Sequence, residues 1–291
     1  MTSMKVASTL DELRESRRSC ASPFGLVPTM GALHAGHAAL VRRARAECAS
    51  VGASLFVNPA QFGSNEDLSN YPRTLQRDLE LLGATGANVV YTPRAEEVYP
   101  PGFQTFVTVD EVSRRLEGAS RPGHFRGVAT IVAKLFLVFS PDRAYFGQKD
   151  AQQVAVIRRM VRDLDFPLTV VVVPTVRERD GLALSSRNAY LSPAERTAAP
   201  VLFRALSAAA EAFDRGERSG DWLRATMKSV LSREPLAEPV YASAADPETL
   251  GELGEVAGDV LLSMAVRFGS TRLIDNFLFE RGRWETGIRE G

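Results

Sequence analysis

Short apolar runs alternate with amphipathic stretches over the first 175 residues. Ser8 or Thr9 suits the N-cap of a short exposed helix over residues 8–19, with Leu10 and Leu13 among charges. Phe24, Gly25, Leu26 and Val27 lie between Pro23 and Pro28 and read as a buried strand. In residues 38–48, Leu40, Val41, Ala44 and Cys48 share one face and arginines the other, which predicts a helix closed by Gly52. Residues 53–57 read as a second buried strand. Leu75, Leu79 and Leu82 mark a further helix, stopped by Gly83, and residues 88–91 a strand ended by Thr92-Pro93. Residues 104–109 look like an additional strand. Residues 128–139 are apolar nearly all round, as a buried helix would be. The segment 143–146 is a strand followed by a helix to about Asp163, and 168–173 is β-branched and reads as a central strand.

This alternation of strand and helix predicts an α/β fold with a doubly wound parallel, Rossmann-like sheet. The pattern changes near Thr175. Asp180-Gly181 looks like a hairpin turn. Ser192-Pro193-Ala194-Glu195 announces a helix with serine cap, proline at its first position and glutamate at its third. That helix should run to about Phe213, a charged linker should cover 214–220, and a second helix 221–232. Three strands follow over 240–244, 260–268 and 271–279, the last two joined by Gly269-Ser270. The expected division is 1–175, a Rossmann-like catalytic domain, and 176–291, a smaller α+β domain.

Composition narrows the choice of partners. With 291 residues, 45% of them hydrophobic, the chain can bury a full core. Lysine plus arginine equals aspartate plus glutamate at 35 each, so no basic field favours nucleic acid. No basic amphipathic helix points to a membrane, the N-terminus has no long apolar stretch for a signal peptide, and no window reaches transmembrane length. Cys20 and Cys48 form no zinc spacing and read as reduced thiols, which points to the cytoplasm. There are four lysines, Lys5, Lys134, Lys149 and Lys228, so a lysine in a polar cluster stands out.

Three such clusters follow strands. In Pro28-Thr29-Met30-Gly31-Ala32-Leu33-His34-Ala35-Gly36-His37, two histidines three residues apart meet a helix start, where free N–H groups and the helix dipole favour an anion. Gly31 permits a tight turn and Gly36 a close approach to the backbone. The pair could equally be ordinary polar residues at a helix start. A metal site would need a third ligand; the chain's one other histidine is His124, and none is predicted. In Gly147-Gln148-Lys149-Asp150, lysine suits a phosphate and aspartate a ribose hydroxyl, or the two form a plain surface pair. Ser185-Ser186-Arg187 suits phosphate oxygens, or serves as the loop before the next helix. A polar loop, Asn58-Pro59-Ala60-Gln61-Phe62-Gly63, also follows a strand, where ordinary turn chemistry is the alternative to ligand binding. No Gly-x-Gly-x-x-Gly turn or P-loop is present.

His-x-Gly-His alone points to the nucleotidyltransferase superfamily. Taken with Asn58 to Gly63, Arg121-Pro122-Gly123-His124-Phe125-Arg126-Gly127, Phe146 to Asp150 with Gln153, and Leu184-Ser185-Ser186-Arg187-Asn188, the chain resembles the pantothenate synthetase family. Gln148 departs mildly from the glutamate that many members carry. The resemblance implies an AMP-forming ligase that joins pantoate to β-alanine through a pantoyl adenylate, releasing pyrophosphate. It implies that Met30, Gly31, Ala32, Leu33, His34, Ala35, Gly36 and His37 hold ATP, with His37 the proton donor and His34 beside it on the phosphates. Lys149 would neutralise phosphate charge, Gly147 and Asp150 would hold the ribose beside Gln148, and Val176 would meet the adenine. Leu184, Ser185, Ser186 and Arg187 would close over the phosphates. Gln61 and Gln153, with Asn58, would hold pantoate, and Gln61 would also lie near β-alanine. Magnesium is expected on ATP, residues 176–291 as a lid, and the assembly as a homodimer in the cytoplasm. A cytidylyltransferase-like enzyme acting on another small acid or phosphate, and a non-catalytic nucleotide sensor, are the alternatives.

Overall fold

A computed structural model describes residues 4–63 and 68–289. The chain divides into two compact units. The first takes Met1–Ser113, Gly118–Gly147 and Val156–Val173; the second takes Arg114–Glu117, Gln148–Ala155 and Pro174–Gly291.

In the first unit, β1 (Lys5–Ala7), β2 (Phe24–Thr29), β3 (Ser50–Leu55), β4 (Val89–Tyr91), β5 (Arg143–Gly147) and β6 (Thr169–Val173) form a six-stranded sheet in the order β1-β4-β3-β2-β5-β6. Every pairing is parallel. Helices α1 (Leu10–Arg18), α2 (Ala35–Glu47), α3 (Leu75–Thr85), α4 (Ala95–Val98), α5 (Leu116–Ser120), α6 (His124–Phe139) and α7 (Ala151–Asp163) intervene, the first residues of α5 and α7 being counted with the second unit. Val27, Val51, Ala53 and Val90 pack with Leu40, Val41 and Ala44 of α2 and Leu82 of α3. On the other face Phe24 stacks on Phe139 of α6, with centroids 6.1 Å apart. Helices therefore cover both faces, as the doubly wound reading requires. Strand order reverses between β2 and β5. In such sheets ligands bind beyond the carboxyl ends of the strands at that reversal.

Local details differ from the sequence reading. Gly52 does not close α2, which ends at Glu47; it lies within β3, where a Cβ would sit 2.7 Å from the Phe24 ring and 2.8 Å from Phe139. It is a packing glycine. Likewise Gly83 is inside α3, and the helix ends at Gly86, whose φ of 98° is the left-handed conformation glycine tolerates. Residues 104–109 form no strand. Val107 gives its N–H to Thr130 Oγ1 at 3.0 Å and Phe106 lies under the Arg126 guanidinium, so the segment is held on side chains of α6 rather than by a partner strand. The helix expected from Val128 starts at His124. Strand β6 is an edge strand rather than a central one, pairing with β5. Its β-branched composition reflects the pleated conformation, not its place in the sheet.

In the second unit, β7 (Val176–Arg177) leads through the Asp180-Gly181 turn to α8 (Pro193–Ala198) and α9 (Val201–Asp214). These are two helices where one was expected. Pro200 lacks the N–H that a continuous helix needs there, and α9 restarts from it. Helix α10 (Gly220–Leu231) and strands β8 (Glu238–Ala245), β9 (Val260–Phe268), β10 (Thr271–Glu280), β11 (Arg283–Glu285) and β12 (Ile288–Arg289) follow. The order β11-β10-β9-β8 is antiparallel, and β12 pairs with β7. Leu202, Leu206 and Phe213 of α9 and Leu223 and Met227 of α10 pack on Leu262, Met264 and Phe277 of the sheet.

Candidate active site

The histidine turn leaves β2 at Thr29 and is shaped by one buried carboxylate. Asp78 of α3 accepts the N–H groups of Ala32 at 2.9 Å and Leu33 at 2.8 Å, and the Thr74 hydroxyl at 3.1 Å. Gly31 at φ 89° and Ala32 at φ 51° make the bend. His34 is the N-cap of α2: its Nδ1 accepts the Gly36 N–H at 3.2 Å, while His37 Nδ1 accepts the His34 N–H at 3.3 Å. The rings lie 4.2 Å apart. Both Nδ1 atoms act as acceptors, so each neutral ring carries its proton on Nε2, an assignment made from the hydrogen bonds. Part of the backbone donor set of this turn is thus engaged. Gly31 gives its N–H to Thr29 Oγ1, Ala32 and Leu33 give theirs to Asp78, and His34 and Gly36 give theirs to the imidazoles. What the turn offers an anion is imidazole Nε2–H together with the α2 dipole.

Beyond β3, Pro59–Gln61 forms a 3-10 turn capped by Asn58. Asn58 is wholly buried. Its Oδ1 accepts Tyr99 OH at 2.7 Å and the Ala60 N–H at 3.3 Å; its Nδ2 donates to Gln61 Oε1 at 3.0 Å and the Gly127 carbonyl at 3.1 Å. Every one of these bonds is internal, so Asn58 positions Gln61. Burial pushes the Tyr99 hydroxyl up to about 12, so at neutral pH it remains a donor. With its oxygen occupied, Gln61 has its Nε2 2.9 Å from Met30 Sδ. A thioether is a weak acceptor, so those N–H groups suit a ligand oxygen better. His124 Nδ1 lies 2.8 Å from the Gln61 carbonyl and must donate to it; its Nε2 then accepts from Arg121 at 3.1 Å. The Arg121–Gly127 stretch, matched by pattern alone, thus braces the backbone of Gln61. Helix α6 comes close enough that a Cβ on Gly127 would lie 2.2 Å from the Ala60 carbonyl oxygen.

In the second unit the chain continues from Gly147 into a 3-10 turn, Gln148–Asp150. Lys149 Nζ is 3.7 Å from Asp150 Oδ1, with the lysine side chain 19% exposed. Gln153 is half-buried in the first turn of α7. Its neighbour Gln152 accepts the Glu117 N–H at 2.9 Å and donates to the Arg115 carbonyl at 2.8 Å. Asn276 of β10 accepts from Gln148 Nε2 at 2.9 Å and donates to the carbonyls of Gln148, at 3.1 Å, and Lys149, at 2.9 Å. The Val176 carbonyl takes the Leu184 N–H at 2.9 Å. Ser185 caps the next 3-10 turn by accepting the Arg187 N–H at 3.2 Å; Ser185, Ser186 and Arg187 are half-buried. Beside Val176, Arg177 makes a two-pronged pair with Asp275 at 2.7 and 2.8 Å, each side chain 1% exposed.

Asp78, Tyr99 and Asn276 escaped the reading of the sequence. A signal existed for two of them. Asp78 falls at helical spacing from Leu82, the buried leucine of α3, and Asn276 directly precedes the apolar stretch Phe277–Phe279 of β10. Polar groups at apolar positions are buried for a reason. Among the described residues, no cluster of three or more His, Cys, Asp or Glu could hold a metal ion. Nor is any described helix long and apolar enough to cross a membrane.

A doubly wound sheet with a His-x-Gly-His turn after the strand at its reversal defines the nucleotidyltransferase class of α/β proteins. The family model for pantoate-beta-alanine ligase matches residues 3–278, and the chain belongs to that family. A pantothenate synthetase of Chloroflexus aggregans is 59% identical over 276 residues, covering 94% of this chain and 99% of that one. One of Roseiflexus castenholzii is 59% identical over 277 residues, covering 95% and 100%. Among solved structures, a pantothenate synthetase of Thermus thermophilus superposes with a TM-score of 0.90 at 51% identity, covering 94% of this chain and 98% of that one. The Francisella tularensis pantoate-beta-alanine ligase complexed with beta-gamma ATP and beta-alanine gives 0.77 at 33% identity, covering 94% and 97%.

Proposed function

We propose that the protein condenses pantoate with β-alanine in two steps driven by ATP. A pantoate carboxylate oxygen attacks the α-phosphorus, and the bond to pyrophosphate breaks with its electrons on the leaving oxygen. The β-alanine amine then attacks the acyl carbon of the adenylate, AMP departs and the amine loses a proton. The observation that carries this reading is the imidazole pair at the start of α2, held as Nε2–H donors in a chain of this family. Such donors offset charge gathering on phosphate oxygens in the transition state. In this reading His34 and His37 act on the phosphates with Lys149, while Gly147 and Asp150 hold the ribose. Gln61 and Gln153 hold pantoate. Magnesium arrives as part of MgATP, bound to phosphate oxygens. The acting form is a cytoplasmic homodimer, with the division near residue 175 separating the Rossmann-like part from the smaller one.

The test is product formation. ATP with pantoate should give pyrophosphate and enzyme-held adenylate; adding β-alanine should give AMP and pantothenate in equal amounts. His37→Ala should slow pyrophosphate release at least about tenfold while leaving the fold intact. Transfer from CTP instead of ATP, or ATP binding without turnover, would replace this reading.

A further inference from the structure

We propose that Asn276 is a positioning residue for Lys149, acting on the phosphate chemistry through the backbone of the Gln148–Asp150 turn. The proposal rests on the role given to Lys149 above. A lysine side chain is a flexible four-carbon stem, so where its ammonium can reach depends on how firmly its root is held. Here the root is a three-residue 3-10 turn between β5 and α7, with the poorer hydrogen-bond geometry of such turns. The Asn276 side chain is 3% exposed, and its three hydrogen bonds all go to Gln148 and Lys149. Two of the three groups it meets are backbone carbonyls, which can only accept. The Asn276 Nδ2 must face them, leaving Oδ1 to take the Gln148 amide N–H. An aspartate would set an oxygen against two oxygens; an apolar residue would leave the buried Gln148 carbonyl and the part-buried Lys149 carbonyl without these partners.

Asn276 is itself seated firmly. Its N–H goes to Asp275 Oδ1 at 2.8 Å, and its carbonyl lies 3.4 Å from Arg177 Nη2. The fully buried Arg177–Asp275 pair is therefore the base, Asn276 the strut, and Lys149 the group held. Arg177 directly follows Val176, so the same pair also fixes the strand assigned to the adenine. Residues 276 and 149 are brought together by the fold of the second unit; no pattern local in sequence links them.

The experiment measures both half-reactions in Asn276→Ala, Lys149→Ala and the double variant. Pyrophosphate release from ATP and pantoate reports the first half; condensation of supplied pantoyl adenylate with β-alanine reports the second. Asn276→Ala should slow the first half at least about tenfold, as a displaced catalytic group does, and leave the second within about twofold. In the Lys149→Ala background it should cost nothing further, because residues acting as one unit are not additive. The same loss in both backgrounds, or equal damage to both halves, overturns the strut while leaving the role of Lys149 standing. If Lys149→Ala itself leaves pyrophosphate release unchanged, the reading of Lys149 fails and takes this proposal with it. Should Asn276→Ala not fold, Gln148→Leu removes one strut bond and keeps the backbone. It should slow pyrophosphate release about threefold, again only when Lys149 is present; no change overturns the proposal.

Discussion

Asp78 determines the shape of the histidine turn, and replacing it with asparagine isolates that role. The variant keeps size and shape but turns one acceptor oxygen into an NH2 group. In the wild type Oδ2 accepts from Ala32, and Oδ1 accepts from Leu33 and the Thr74 hydroxyl. Asparagine can serve one of the two backbone N–H groups; the other then faces a donor. A hydrogen bond to a charged group contributes about 1.5–3 kcal/mol, and a buried donor without an acceptor costs about 1–3 kcal/mol. Asp78 is 2% exposed, so little of this is recovered from water. The expected loss is about 3–5 kcal/mol, or on the order of 10 °C in Tm for a chain of this size. Ala32, at φ 51°, has no other reason to stay in the left-handed region and should leave it. Because His34 follows two residues later, KM for ATP should rise at least about tenfold. Thr74→Val is the control, removing only the hydroxyl and costing about 1 kcal/mol. Thermal unfolding and an ATP titration of the steady-state rate give both numbers. An Asp78→Asn protein with native Tm and native KM for ATP would show that the carboxylate does not hold the turn.

Two further outcomes follow from the site. Lys149→Ala should cripple pyrophosphate release and spare condensation of ready-made pantoyl adenylate; if Lys149 did no more than pair with Asp150, both rates would stay unchanged. Tyr99→Phe removes the shortest of the bonds on Asn58 and should raise KM for pantoate severalfold, as loss of a neutral hydrogen bond worth about 1 kcal/mol does, with KM for ATP unmoved. Parallel increases for both substrates would reject the link through Gln61.

The strand that opens after Pro23 and the glycine-bearing turn between Thr29 and His37 are legible from local pattern, although Pro28, read as the strand's end, lies inside β2, which runs on to Thr29. Glycine is harder to read. Gly52 and Gly83 look like helix stops, yet the fate of Gly52 depends on Phe24 and Phe139, which lie far from it in sequence. The same limit applies to polar residues. Asn58 reads as a ligand group from its place after a strand, but its partners are Tyr99 and Gly127, and their meeting is a property of the packed sheet and helix. Nothing nearby in sequence points to Asp78 as the acceptor for the Ala32 and Leu33 amides.

The locked tautomers have a consequence for proton traffic. In a serine-protease triad an aspartate accepts from histidine Nδ1–H, and the opposite nitrogen is left as a base. Here the polarity is inverted: a peptide N–H points at each Nδ1, and the opposite nitrogen is left holding a proton. For either ring to take up a proton, Nδ1 would have to become a donor facing a donor, and the first turn of α2 would lose its cap. In the reaction proposed above, that polarity suits the pair to giving hydrogen bonds from Nε2 to phosphate oxygens.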